Sequence, residues 1–140
     1  DAGGELLYGG DGNDTLYAGL SVSGYADTLY GGDGADTFVI NTVVGAIKLT
    51  GSTITGADIF SFVDGTDKIT LVGFGFTSSG SPSLVVANAA SFGADSEIQI
   101  LTSSNTNLVE VYLNSTGANE YAKITVNGVT TLDINDFDFG

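Results

Sequence analysis

The chain has 140 residues, of which 17 are acidic and three basic, for a net charge of −14, and it has no Cys, His, Met or Trp. That length suits one domain with a real core. The charge makes nucleic acid a poor partner and disfavours anionic membranes, since both are bound by clustered Lys and Arg, and the missing residue types exclude disulfides, soft-metal sites and histidine catalysis.

In chain order, the first feature is an internal repeat. Residues 9–17 read GGDGNDTLY, residues 18–30 AGLSVSGYADTLY and residues 31–39 GGDGADTFV. The first and third blocks differ only at Asn13/Ala35, Leu16/Phe38 and Tyr17/Val39. The middle block carries four extra residues but keeps its ending, so Asp27-Thr28-Leu29 aligns with Asp14-Thr15-Leu16 and Asp36-Thr37-Phe38. Upstream, residues 2–8 form a decayed fourth copy with Glu5 in the acid position and Leu7 in the apolar one.

Each block divides into a turn, GGDGND, and a short strand, TLY. Paired glycines permit positive φ and close backbone approach, so such a turn can aim several carbonyl oxygens into one small space. The Asp that follows adds charge. Oxygen donors without nitrogen or sulfur make a hard-cation site, and Ca²⁺ takes six to eight such ligands. The strand half buries one apolar residue per copy: Leu16, Leu29 and Phe38. A single GGDG run reads equally well as an ordinary tight turn with a solvated Asp; copies in register favour the cation. Other glycine-rich motifs fail on spacing. A phosphate loop needs Gly-Lys-Ser/Thr, and the first Lys is Lys48.

Residues 9–39 resemble the hemolysin-type (RTX) calcium-binding repeats, whose G-G-x-G-x-D-x-U-x pattern marks a parallel β-helix. The resemblance implies a short parallel β-roll in which two repeats make one coil and Ca²⁺ sits between stacked turns. It implies a best site joining Gly9, Asp11 and Asp14 to Gly32, Gly34 and Asp36. Gly10 and Gly12 would serve the neighbour on the other side. Asp27 is a further expected ligand with fewer carbonyl partners, because Tyr25 stands where the other blocks have Gly12 and Gly34.

The first 36 residues hold seven acidic groups and no basic one. Without a cation those charges repel, so this half is expected to order only with Ca²⁺. At free Ca²⁺ about a hundredfold above Kd, each site adds about 2.7 kcal/mol, against a total stability of roughly 5–15 kcal/mol for a small domain.

Residues 41–57 are apolar and β-branched and read foremost as a connecting segment, with one or two strands as the alternative. Residues 58–71 contain Asp64-Gly65-Thr66-Asp67-Lys68-Ile69, half a nonapeptide with Phe62-Val63 in place of the glycine pair, and are expected to extend or cap the roll. This stretch resembles the one that follows the repeats in serralysin-type proteases and alginate epimerase R-modules. Asp67 is taken as a metal ligand on that ground, against a solvated turn residue. Ser81-Pro82 predicts a turn, Leu84-Val85-Val86 a strand, and residues 87–92 a helical turn. Residues 97–101, 108–113 and 121–126 predict antiparallel strands, with Asn127-Gly128 as a hairpin turn. The fold class is thus all-β: one domain, with the β-roll in residues 1–40 and a β-rich half, 41–140, whose antiparallel sandwich or meander caps the roll's open end.

The tail LDINDFDFG is similar to the endings of proteins exported by type I secretion. Its acids, Asp133, Asp136 and Asp138, read as the solvated end of a last strand before they read as metal ligands. No apolar run reaches about 18 residues, so no helix spans a membrane, and no signal peptide is present. The chain opens inside a repeat without Met and is expected to be a piece of a larger secreted protein. The function expected first is a non-catalytic calcium-binding module, exported by type I machinery and folding on Ca²⁺ outside the cell. Tyr8, Tyr17 and Tyr30 each close a repeat. An outward ladder of these rings would suit the alternative, a calcium-dependent module binding a polysaccharide, although strand residues packing on each other explain them as well. An adhesin segment is a third reading.

Overall fold

The computed structural model describes residues 4–19, 25–41, 53–73, 83–87, 97–102, 108–114 and 121–140. Within them the chain is almost wholly strand: β1 Leu6–Asp11, β2 Thr15–Gly19, β3 Asp27–Asp33, β4 Thr37–Asn41, β5 Thr53–Phe60, β6 Lys68–Val72, β7 Ser83–Ala87, β8 Glu97–Thr102, β9 Leu108–Asn114, β10 Tyr121–Asn127 and β11 Phe137–Phe139. They form two sheets, one in the order β1-β3-β5-β10-β9-β8-β7 and one in the order β11-β6-β4-β2.

The strand pairs β1/β2, β3/β4, β5/β6 and β10/β11 are successive coils of a β-roll. Within each sheet these strands run parallel. Coil two lies over coil one with Tyr8 opposite Tyr30 and Leu16 opposite Phe38. That offset is two nonapeptides plus the four extra residues of the middle block, so the insertion lengthens the coil without shifting its faces.

The period of two along each strand then builds the core as columns. Leu7, Leu29, Ile59 and Val126 stack in one sheet. Leu16, Phe38, Ile69 and Phe137 stack in the other, beside Ala18, Ile40, Leu71 and Phe139. Leu29, Phe38, Ile40, Ile59, Ile69 and Leu71 are fully enclosed; each such side chain contributes about 1.5–3 kcal/mol. At the far end, β8, β9 and β10 are antiparallel neighbours, as expected of a meander, and β7 joins β8 in parallel. Val109 and Val111 of β9 are buried in the same core as the roll.

The strands differ from expectation in four places. β1 and β3 run through the glycine pairs, with Gly10 opposite Gly32. The tight bend is therefore confined to the residues just before Asp14 and Asp36. Thr53–Phe60 is a strand, not a connection, because it supplies the third coil; residues 42–52 lie outside the described residues. Asn127-Gly128 makes no hairpin. The Asn127 side chain donates to the Ile59 carbonyl at 3.2 Å, Gly128 takes φ +91°, and the chain crosses to the second sheet through buried Val129 and Leu132. Tyr8 stacks on Tyr30 and Tyr30 on Phe60, each pair 4.9 Å apart between ring centroids. Tyr17 is excluded from this ladder because β2 belongs to the other sheet. The expected turn at Ser81-Pro82 and residues 88–92 of the expected helical turn fall outside the described residues.

Candidate metal centre

Two edges of the roll carry columns of acids, and both arise from the repeat. Along one edge, Asp14, Asp36 and Asp67 each stand immediately before β2, β4 and β6. Asp36 Oδ1 accepts the backbone amide of Asp14 at 2.9 Å, and Asp67 Oδ1 accepts that of Asp36 at 2.9 Å. Along the other edge, Asp27 Oδ1 accepts the amide of Glu5 at 3.0 Å. This column stops at the third coil, where Ala57 lies opposite Asp27.

In each of Asp14, Asp27 and Asp36 the second carboxylate oxygen, Oδ2, is buried and has no hydrogen-bond partner. A buried carboxylate oxygen left unsatisfied is strongly unfavourable. Asp27 and Asp36 are each only 1% exposed, so water is a poor remedy. A hard divalent cation is the natural partner for unsatisfied carboxylate oxygens; at the glycine turns the Gly31 carbonyl and Asp14 Oδ2 both lie against Gly9, and the turns hold no His or Cys.

The glycines make the room. A Cβ on Gly31 would overlap Asp36 Oδ2 and lie 2.9 Å from Phe38 Cζ. A Cβ on Gly9 would lie 2.9 Å from Asp14 Oδ2 and also crowd the Gly31 carbonyl. Cβ atoms on Gly32 and Gly34 would overlap the carbonyl oxygens of Gly10 and Gly12. The carbonyls of Gly10 and Gly12 thus press onto the turn of coil two, rather than toward a neighbour on the other side. Gly9, Gly10, Gly12, Asp14, Gly32, Gly34 and Asp36 are gathered in one place. Asp11 is exposed at the end of β1, opposite Asp33.

Asp67 is gathered into the same column, but in a different state. It is fully buried, and both its oxygens are engaged: Oδ1 by the amide of Asp36, Oδ2 by that of Val63 at 2.8 Å. The tail acids also serve the backbone. Asp136 Oδ2 accepts the amide of Asp133 at 2.7 Å, and Asp133 Oδ1 that of Asn135 at 2.6 Å, which caps the 3-10 turn at Ile134–Asp136. Beside them the charge of Asp136, and after it partial desolvation, a side-chain hydrogen bond with Asp136 and lastly the charge of Asp133, hold the Asp64 carboxyl above its ordinary range.

Gly31 and Asn13, and the backbone role of Glu5, go beyond what the sequence reading assigns. Gly31 is the equivalent of Gly9, and alignment of the blocks would have found it. Glu5 enters through its backbone amide, which no side-chain pattern reveals. Asn13 Oδ1 accepts the amide of Ala35 at 3.0 Å and bridges the two turns; the only hint is that Asn13/Ala35 is the one difference between the first and third blocks that falls in the turn.

Stacked glycine turns, each closed by an acid with a buried, unpartnered oxygen, define a parallel β-roll suited to holding cations. Residues 1–21 and 20–39 match the RTX calcium-binding nonapeptide repeat, in four copies, and this segment is an RTX repeat module. Such repeats bind Ca²⁺ and are calcium-binding rather than catalytic units, typically of extracellular proteins. No curated protein gives a significant match to the chain. Among the described residues, no helix is long and apolar enough to cross a membrane.

Proposed function

We propose that this chain is the non-catalytic calcium-binding module of a secreted bacterial protein, which stays unfolded where Ca²⁺ is scarce and orders on Ca²⁺ after type I export. The observation that carries the reading is the set of unpartnered buried oxygens on Asp14, Asp27 and Asp36. Asp14 and Asp36 would hold one ion between coils one and two, with glycine-turn carbonyls completing its shell. Asp27 would hold a second on the opposite edge. The ion supplies the positive charge that a chain of net charge −14 lacks. The hydrogen bonds donated by the Asp14 amide to Asp36 and by the Glu5 amide to Asp27 keep the coils in register beneath it.

The test is a Ca²⁺ titration of the whole chain followed by circular dichroism and calorimetry, with Mg²⁺ as control. Mg²⁺ demands a near-ideal octahedron and gives up its water reluctantly, so a cooperative gain of β signal is expected from Ca²⁺ alone. A spectrum indifferent to Ca²⁺ would reduce the repeats to plain turns.

The stacked Tyr8–Tyr30–Phe60 ladder supports a second reading, a calcium-dependent polysaccharide-binding module. Among the described strands β1 is the outermost of its sheet, so Tyr8 ends the stack, and it is 67% exposed. One ring face there is open to a sugar. A glycan array probed with the Ca²⁺-loaded chain separates the readings: hits lost on Tyr8→Ala favour the second, and no hits leave the first.

A further inference from the structure

The acids of the first column are not equivalent, and the difference lies in what their second oxygen does. In Asp14 and Asp36 it has no partner. In Asp67 it accepts from the Val63 amide, while the Val63 carbonyl accepts the Asp67 amide at 2.9 Å and the Thr66 amide at 3.0 Å. Asp67 and Val63 thus exchange two hydrogen bonds and close the turn on themselves.

The backbone around them has changed to allow it. Phe60 lies opposite Tyr30 and Lys68 opposite Thr37, so this turn is one residue longer than that of coil two. Phe62 follows Phe60 as Gly32 follows Tyr30, and positive φ has moved to Ser61 (60°) and Gly65 (74°). Phe62 is buried, with its ring 6.0 Å from that of Phe38. An aromatic side chain therefore stands at the turn position that a bare glycine occupies in the two turns before it.

We propose that Asp67 is not a calcium ligand but the closure of the ion column. Two backbone amides give its carboxylate what a cation gives Asp14 and Asp36, and Phe62 removes the glycine position that lets the earlier turns stack closely. No ion lies between coils two and three. Asp67 acts on calcium only as a positioning residue, by holding the amide of Asp36 and so the carboxylate of Asp36 above it. This rests on the calcium reading of Asp14 and Asp36.

The deciding experiment is anomalous diffraction from crystals of the whole chain loaded with Tb³⁺, a lanthanide probe for calcium sites. Peaks within about 2.6 Å of the Asp14 and Asp36 carboxylates, with none that close to Asp67, are the expected result. A peak on Asp67 overturns the closure and leaves the calcium reading intact; no peak on Asp14 or Asp36 sinks both. Native mass spectrometry of Asp67→Ala and Asp67→Asn supplies a second readout. Both variants should bind as many Ca²⁺ ions as the parent at saturation. The Ala variant should bind about 10- to 100-fold more weakly, as expected when a residue that orients a ligand is removed. Asn, which keeps an acceptor for the Asp36 amide, should recover part of that affinity. Loss of one bound ion in Asp67→Asn would show that the carboxylate is a ligand after all.

Discussion

The carboxylate of Asp36 accepts the backbone amide of Asp14 through Oδ1 at 2.9 Å, and so ties together two coils 22 residues apart. Its other oxygen is the unpartnered one. One side chain therefore performs two tasks, register and cation binding, whereas the Asp14 carboxylate faces no such tie to an earlier coil among the described hydrogen bonds. Asp36→Ala should weaken Ca²⁺ binding more than Asp14→Ala. A hydrogen bond to a charged group contributes about 1.5–3 kcal/mol, so the gap should be about tenfold or more in Kd. Calorimetric titration of both variants reads it directly, and equal losses would show that Asp36 does no more than ligate.

Two glycine substitutions separate space from backbone conformation. Gly31→Ala puts a methyl group into Asp36 Oδ2 and against Phe38, so Ca²⁺-dependent folding should be abolished. Gly12→Ala meets nothing within 4 Å, but Gly12 holds φ +114°. Its cost should be only the conformational one, about 1–3 kcal/mol. Urea denaturation in saturating Ca²⁺ distinguishes the two.

Phe38 is fully buried at the centre of the Leu16–Phe38–Ile69–Phe137 column. Phe38→Ala should cost about 3–5 kcal/mol with Ca²⁺ present, from lost burial and the cavity left behind. Tyr17 is 64% exposed on the neighbouring strand, and Tyr17→Ala should stay within about 0.5 kcal/mol. Thermal melts of the two variants check the contrast.

Asp64 is an exposed acid whose carboxyl is held above its ordinary value of 3.8 mainly by the charge of Asp136. A raised acid pKa in the folded state means that the ionised form disfavours folding. That penalty is full above the folded pKa and disappears as pH falls to the unfolded value. Asp64→Asn should therefore raise the melting temperature relative to the parent at neutral pH, and the difference should close on acidification. A difference that widens toward low pH would reverse the assigned sign.

Much of the first two coils was legible because the blocks repeat their own register: aligned Asp residues became the acid columns, and aligned Leu and Phe residues became the core columns. The fourth coil was not legible. Residues 121–139 carry no glycine turn of the repeat kind, and their place follows from pairing with β5 and β6 far back in the chain. Asn127-Gly128 gave a sound local hairpin signal, which the distant Ile59 carbonyl outweighs. The role of Asp67 was hidden for a similar reason. Spacing marks it as another repeat acid, and the Val63 amide that occupies its second oxygen, in a turn one residue longer than that of Asp36, shows itself only in the fold.

The fourth coil also has a kinetic consequence. Coils two and three meet their predecessors across 22 and 31 residues (Leu16 to Phe38 and Phe38 to Ile69), whereas Phe137 meets Ile69 across 68. Closing the longer loop costs about 1 kcal/mol more in chain entropy than closing the shorter ones, and a larger share of distant contacts slows folding. The edges of β5 and β6 therefore wait for the last strands to be delivered. Until then they are open templates on which a neighbouring chain can dock in the wrong place.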